Sequence, residues 1–202
     1  MRAVIIGNGD IKNYEHIKKK IHSDDFVICA DGGYNHAKKM GIVPDVLIGD
    51  FDSSEGFEEV KNRIEYPVRK DFTDGELAVE YANKHNADSV CLIGMTGDRA
   101  DHTIADIMLL TKCRNGVLLD DNNEIYLLRD KIIIHGQCRQ TVSIIPVLGD
   151  AEGLSTSGLE YPLKNETLRF ASTRGISNVM TDETCEITIK NGLALVIKVD
   201  KV

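Results

Sequence analysis

The chain has 202 residues, 42% of them hydrophobic, and a formal net charge of −8, enough for one large domain or a medium domain with a small companion. An acidic balance of this kind excludes a nucleic-acid or anionic-membrane surface built on clustered Lys and Arg. No apolar run reaches the length of a signal peptide or a membrane span, so a cytoplasmic location is expected.

In chain order, the first 120 or so residues alternate short apolar runs with helical patterns. The runs are "AVII" (3–6), "FVICA" (26–30), "VLI" (46–48), "SVCLI" (89–93) and "VLL" (117–119). They are rich in β-branched residues, nearly continuous and bounded by Gly or Asp, as in strands buried on both faces of a parallel sheet. Between them, "TDGELAVEYANKH" opens with Thr73 and Glu76 at capping-box spacing. "DHTIADIMLLTKC" aligns Ile104, Ile107, Met108 and Thr111 on one face. The alternation predicts an α/β domain over 1–130 with a doubly wound, mostly parallel sheet.

After residue 130 the helical period fades. "TVSIIPV", "TLRFAS", "CEITIK" and "LALVIKV" are short strand-like segments separated by Gly, Asn, Ser and Pro. Asn191-Gly192, inside "ITIKNGLALVI", is the preferred pair for a tight hairpin. A small all-β sandwich domain is expected over 131–202, too small to be strongly stable alone and therefore leaning on the first domain or on a second subunit. The five cysteines, Cys29, Cys91, Cys113, Cys138 and Cys185, include no C-x-x-C pair, and most sit in apolar runs. Reduced, buried thiols follow, with no disulfide framework or zinc site.

The unusual polar clusters of the first domain all follow predicted strands: "GNGD" (7–10), "DGG" (31–33), "GDFDSS" (49–54) and "GMTGDRADH" (94–102). Ligands of open α/β sheets bind outside the carboxyl ends of the strands, so these segments should converge on one crevice. Taken alone, "DGG" reads as turn chemistry and "KDFTD" (70–74) as a helix cap. Together they gather Asp31, Asp50, Asp52, Asp71, Asp74 and Asp101 on one rim, where unpaired like charges would be costly. A divalent cation resolves that repulsion, and hard oxygen donors suit Mg²⁺. The Gly-rich "GMTGDR" and Arg99 supply anion-binding groups on the same rim. A metal, a phosphate cradle and an arginine suggest phosphoryl-type transfer. A nucleotide-sugar transferase would explain "DFD" equally well, and a ligand sensor would keep the same pocket without chemistry.

The ordered set "ADGGYNHAKK", "PDVLIGDFDSS", "KDFTDGELA" and "GMTGDRADHTIADIMLL", continued by "TSGLEYPL" (156–163) and "RGISN" (174–178), strongly resembles the thiamine pyrophosphokinase family over nearly the whole chain. The resemblance implies Mg²⁺-dependent transfer of the pyrophosphoryl group of ATP to the hydroxyl of thiamine, giving thiamine diphosphate and AMP. It implies a homodimer with thiamine held between domains of different subunits. Carried onto this sequence, Asp50, Asp52 and Asp74 become the metal cluster, and with Arg99 the catalytic set. Asp31, Asp71 and Arg99 would bind ATP. Asp101, His102, Ser155, Tyr161, Ser177 and Asn178 would bind thiamine. Tyr161 stands where some family members have Trp, and this chain contains none; a Tyr stacks with less area, and a sandwich-core role is its alternative reading.

Overall fold

The computed structural model describes residues 1–51 and 56–200. It divides into two compact units, Met1–Asp121 and Asn122–Val202. The division falls ahead of the boundary read from the sequence because residues 123–128 pair along their length with a strand near the C-terminus.

In the first unit, the described elements are β1 (Arg2–Ile6), α1 (Tyr14–Lys18), β2 (Phe26–Ala30), α2 (Gly33–Met40), β3 (Val46–Gly49), β4 (Asn62–Glu65), α3 (Asp74–Lys84), β5 (Ser89–Ile93), α4 (Ala100–Met108), a 3-10 turn at Leu109–Thr111 and β6 (Gly116–Leu119). The strands lie in the order β6-β5-β1-β2-β3-β4, and every pairing between them is parallel. The chain therefore steps outward from β1 to β4, then returns to the other side of β1. Residues on both faces of β1 are fully buried. Val4 and Ile6 share a core with Ile17 of α1 and with Tyr34, Ala37 and Met40 of α2. Thr73 caps α3 as expected, its hydroxyl accepting the Glu76 N–H at 3.1 Å, which buries Leu77, Ala78 and Ala82.

"DGG" works differently from a glycine turn. The left-handed residue is Asp31, with φ 45°. Gly33 is needed for space: a Cβ there would lie 1.9 Å from the Ile6 carbonyl oxygen. Only a residue without a side chain lets α2 start against the end of β1.

In the second unit, the strands are β7 (Asn123–Leu128), β8 (Lys131–His135), β9 (Thr141–Pro146), β10 (Ala151–Ser157), β11 (Glu166–Leu168), β12 (Asn178–Val179), β13 (Thr184–Thr188) and β14 (Ala194–Val199). They form two antiparallel arrays, β12-β9-β14-β7 and β11-β10-β13-β8. Leu128, Ile144 and Val196 from one array share a core with Ile134, Leu154 and Ile187 from the other. The expected Asn191-Gly192 hairpin does not form. β13 pairs with β8 and β10, whereas β14 pairs with β7 and β9. The turn carries the chain from one array to the other. Gly192, at φ 92°, sits where a Cβ would be 2.3 Å from the Asp150 carbonyl oxygen. The protein is thus mixed α/β, with a large parallel sheet in the first unit and antiparallel sheets in the second. Cys29, Cys91, Cys113 and Cys185 are free and buried, and Cys138 is free and exposed.

Gly33→Ala should destabilise the protein by about 3 kcal/mol or more, the upper range for overpacking, because the neighbour in the way is backbone. A urea-denaturation midpoint within error of wild type would refute this account of "DGG".

Candidate functional site

The site begins with main-chain bonds. The β1–β5 register pairs Ile6 with Ile93, so the loops after the two strands leave side by side. Gly7 N–H donates to Ile93 O at 2.8 Å, Gly9 N–H to Gly94 O at 2.6 Å, and Asp10 N–H to Thr96 O at 2.7 Å. The Gly9 carbonyl is held from its other side by His36 Nε2 at 2.7 Å, while the Tyr14 hydroxyl lies 2.8 Å from His36 Nδ1. Burial pushes the His36 imidazole below its ordinary pKa. A neutral ring donating from Nε2 and accepting at Nδ1 satisfies both contacts.

Above these loops lies a cavity of about 500 Å³ in the first unit. On one wall are Asp31, Asp50 and Asp74, all half-buried. Burial raises the Asp74 carboxyl, Lys70 opposes the rise, and the charges of Asp31 and Asp50 add to it. Lys70 Nζ sits 2.9 Å from Asp74 Oδ1. Asp31 and Asp50 are therefore close enough to resist the ionisation of Asp74, and the hard oxygens of all three fit a divalent cation. Asp52, the remaining expected ligand, lies outside the described residues. Elsewhere, His22, Asp24 and Asp25 bring ligand atoms within 4.8 Å of one another. That surface group has an ordinary explanation, since Asp25 already accepts from Arg2 at 3.0 Å and from the His22 N–H at 2.7 Å.

Another part of the lining comes from the loop after β5 and from α4. Gly97 N–H donates to Thr103 Oγ1 at 3.1 Å, fastening the loop to the helix. Arg99 forks onto Asp101, with Nη2–Oδ2 at 2.6 Å and Nε–Oδ1 at 3.2 Å. That bond holds the Asp101 carboxyl down at about 2. Arg99 and His102 line the cavity. So does Asp106, whose buried carboxyl is pushed up to about 6 by desolvation, partly offset by His102.

Of the residues expected from sequence, Asp31, Asp50, Asp74, Arg99 and His102 meet around this cavity. Asp71 is exposed and outside its lining, and Asp101 reaches the site only through Arg99. The rest lie in the second unit. Ser155 Oγ accepts from Asn165 N–H at 3.0 Å. Ser177 has φ 61° and donates its N–H to Ser143 Oγ at 3.0 Å. Tyr161 and Asn178 are joined reciprocally, Tyr161 N–H to Asn178 Oδ1 at 3.0 Å and Asn178 Nδ2 to Tyr161 O at 2.8 Å. Tyr161 is 64% exposed, so the core-aromatic alternative does not hold. Sequence reading missed Asn8, Asp10, Lys70 and Asp106 as lining residues. "GNGD" was visible as a strand-end cluster, and Lys70 opens "KDFTD". The signal for Asp106 was a lone carboxylate within "IADIMLL".

The comparisons with known proteins agree over the whole chain. Residues 17–127 match the family model described as thiamin pyrophosphokinase, catalytic domain, and residues 130–194 match thiamin pyrophosphokinase, vitamin B1 binding domain. A thiamine pyrophosphokinase of Bacillus subtilis is 31% identical over 185 residues, 85% of this chain and 86% of the relative. The thiamine pyrophosphokinase 1 of Oryza sativa is 25% identical, over 82% of this chain and 76% of its own. The crystal structure of the Bacillus subtilis enzyme superposes with a TM-score of 0.90 at 25% identity, covering 100% of both chains. That of the Geobacillus thermodenitrificans protein gives 0.87 at 25% identity, covering 100% of this chain and 98% of the other.

A carboxyl whose folded pKa lies above its unfolded value favours the native state only while protonated. The native form then costs stability as pH rises from about 4 to 6, and the full cost remains above that range. Asp106→Asn should therefore gain stability over wild type by on the order of 1–3 kcal/mol at pH 7.5, with little difference at pH 4. Urea denaturation of the substrate-free proteins at both pH values measures this, and an equal difference at each would contradict it.

Proposed function

The chain belongs to the thiamine pyrophosphokinase family, and from that premise we propose that it transfers the β,γ-pyrophosphoryl group of ATP to the hydroxyl of thiamine, releasing AMP. The observation that carries this reading is the cavity at the β1–β5 junction, where the strand order changes direction. Carboxylates and an arginine lining one cavity suit a polyphosphate and its cation. The doubly wound description belongs to the same reading, because α1 and α2 pack on one face of β1 while α3 also meets β1, β2 and β3 without joining that core.

In the reaction, the thiamine hydroxyl oxygen forms a bond to the β-phosphorus. The bond from that phosphorus to the oxygen bridging the α-phosphate breaks, that oxygen leaves on AMP, and the hydroxyl proton passes to a base. Asp50, Asp52 and Asp74 would hold Mg²⁺, which supplies neutralisation of polyphosphate charge when bound. Asp31 and Asp71 are assigned to the nucleotide side. Arg99 keeps N–H donors beyond the two it gives Asp101, and these would hold phosphate oxygens in line for displacement. Asp101 would orient Arg99 while facing thiamine, with His102 beside it. Ser155, Tyr161, Ser177 and Asn178 are assigned to the thiamine ring. Two features support that assignment: the exposed Tyr161 face and the backbone locks that set Tyr161 against Asn178.

A homodimer is part of the reading. α4 presents Ile104, 62% exposed, with Ile107 and Met108 half-buried beside it, an apolar stripe suited to another subunit. Cytoplasmic residence also belongs to it; among the described residues no helix is long and apolar enough to cross a membrane.

Incubation with thiamine, ATP and Mg²⁺ should yield AMP and thiamine diphosphate in equal amounts by chromatography. ADP with thiamine monophosphate would sink the one-step transfer. Asp50→Asn and Asp74→Asn should each lower turnover by roughly a hundredfold or more at saturating Mg²⁺ without unfolding the protein. Light scattering at micromolar concentration should give a dimer mass, and Ile104→Glu should shift it toward monomer. A monomeric wild type would remove the dimer from the reading.

A further inference from the structure

Asp106 is the buried residue of α4, 8% exposed, and its carboxyl forms part of the cavity wall. No N–H or O–H group among the described residues donates to it; besides desolvation, only the charge of His102 acts on it. Buried acceptors are almost always satisfied, carboxylates above all. In an open cavity water can serve, but a substrate that displaces this water must bring a donor of its own.

The surroundings of Asp106, beside the start of α3, narrow its ligand. A Cβ placed on Gly75 would lie 3.3 Å from Met95 Cε and 3.6 Å from Asp106 Oδ1. The thioether and the carboxyl thus neighbour one another across a residue with no side chain. A polarisable methionine beside an acceptor suits a flat heteroaromatic ring carrying an N–H on its edge.

We propose that Asp106 is a specificity-determining residue that accepts a hydrogen bond from the amino group of an aminopyrimidine edge. This rests on the thiamine pyrophosphokinase reading, in which both substrates carry that edge, ATP in adenine and thiamine in its pyrimidine ring. The carboxyl makes no bond to the reacting phosphate. It selects which ring is seated, discriminating an amino substituent from an oxo group at the same position, because an oxo oxygen would face the carboxyl with a second acceptor.

Calorimetric titration tests this with four ligands: thiamine, its 4′-oxo analogue oxythiamine, Mg-ATP and Mg-ITP. Asp106→Leu, and Asp106→Ala in case leucine disturbs folding, should weaken one amino ligand tenfold or more, the scale expected for a hydrogen bond to a charged group. The corresponding oxo ligand should bind no more weakly than to wild type, because the acceptor that faced its oxygen is gone. Asp106→Asn, which keeps an acceptor oxygen, should hold the amino ligand within about threefold of wild type. The ligand that responds identifies the ring: loss confined to thiamine places it in the thiamine subsite, and loss confined to ATP in the base subsite. Wild-type-like affinity for both amino ligands in the leucine and alanine variants, or equal losses of amino and oxo forms, would overturn the assignment and leave the enzymatic reading standing. A wild-type protein that binds neither thiamine nor ATP would overturn both.

Discussion

The parallel register of β1 on β5 is the constraint from which the site follows. These strands are far apart in sequence and adjacent in space, and their carboxyl ends finish level, Ile6 against Ile93. Three main-chain bonds then join the two loops beyond them. Each such bond is worth only about 1 kcal/mol net, but together they set the cavity floor in backbone, which has far fewer ways to rearrange than side chains. α2 can start against this floor because Gly33 leaves room for the Ile6 carbonyl, and His36 on that helix returns a hydrogen bond to Gly9. The carboxylate wall and the arginine wall are hung on this frame.

Electrostatically the two walls differ in kind. Lys70 and Asp74 meet with little exposure, 12% and 23% for their side chains, where solvent screens them weakly. Arg99 and Asp101 meet in the open, at 70% and 67%, where an ion pair contributes little to stability and can exchange partners readily. A fixed charge pattern on one side and an adjustable one on the other suit a site that must hold a polyphosphate and then release part of it.

What could be read from the residues alone was the content of the strand ends. The buried strands of the parallel sheet announce themselves as continuous apolar runs, and Gly- and Asp-rich clusters follow them, so the strand-end clusters holding Asp31, Asp50 and Arg99 were legible, while Asp74 was visible only within a helix cap. β4 was not, since "NRIE" is a mostly exposed edge strand with no apolar signature. Nor was the side of α4 that turns inward: periodicity finds an apolar stripe but cannot tell core from open surface, and the stripe at Ile104 stays outside while Asp106 turns in. Asn191-Gly192 marked a turn correctly and a hairpin incorrectly, because a local dipeptide fixes backbone dihedrals and says nothing about which sheet receives the next strand. In the second unit, the placement of Tyr161 against Asn178 depends on two bonds between the Asn178 side-chain amide and the Tyr161 backbone that no spacing announces.

The strand order also dictates a timetable. As the chain leaves the ribosome, its first strand is destined for the middle of the parallel sheet, and one of its two neighbours is not synthesised until residues 89–93. Until then β1 can be covered on one flank only, with an apolar edge open to other chains. At elongation rates of about 5–20 residues per second, that interval lasts several seconds. The molecule's aggregation hazard is therefore concentrated in nascent chains that have completed β1 to β3 but not β5, and truncations ending in this interval should be the least soluble fragments of the protein.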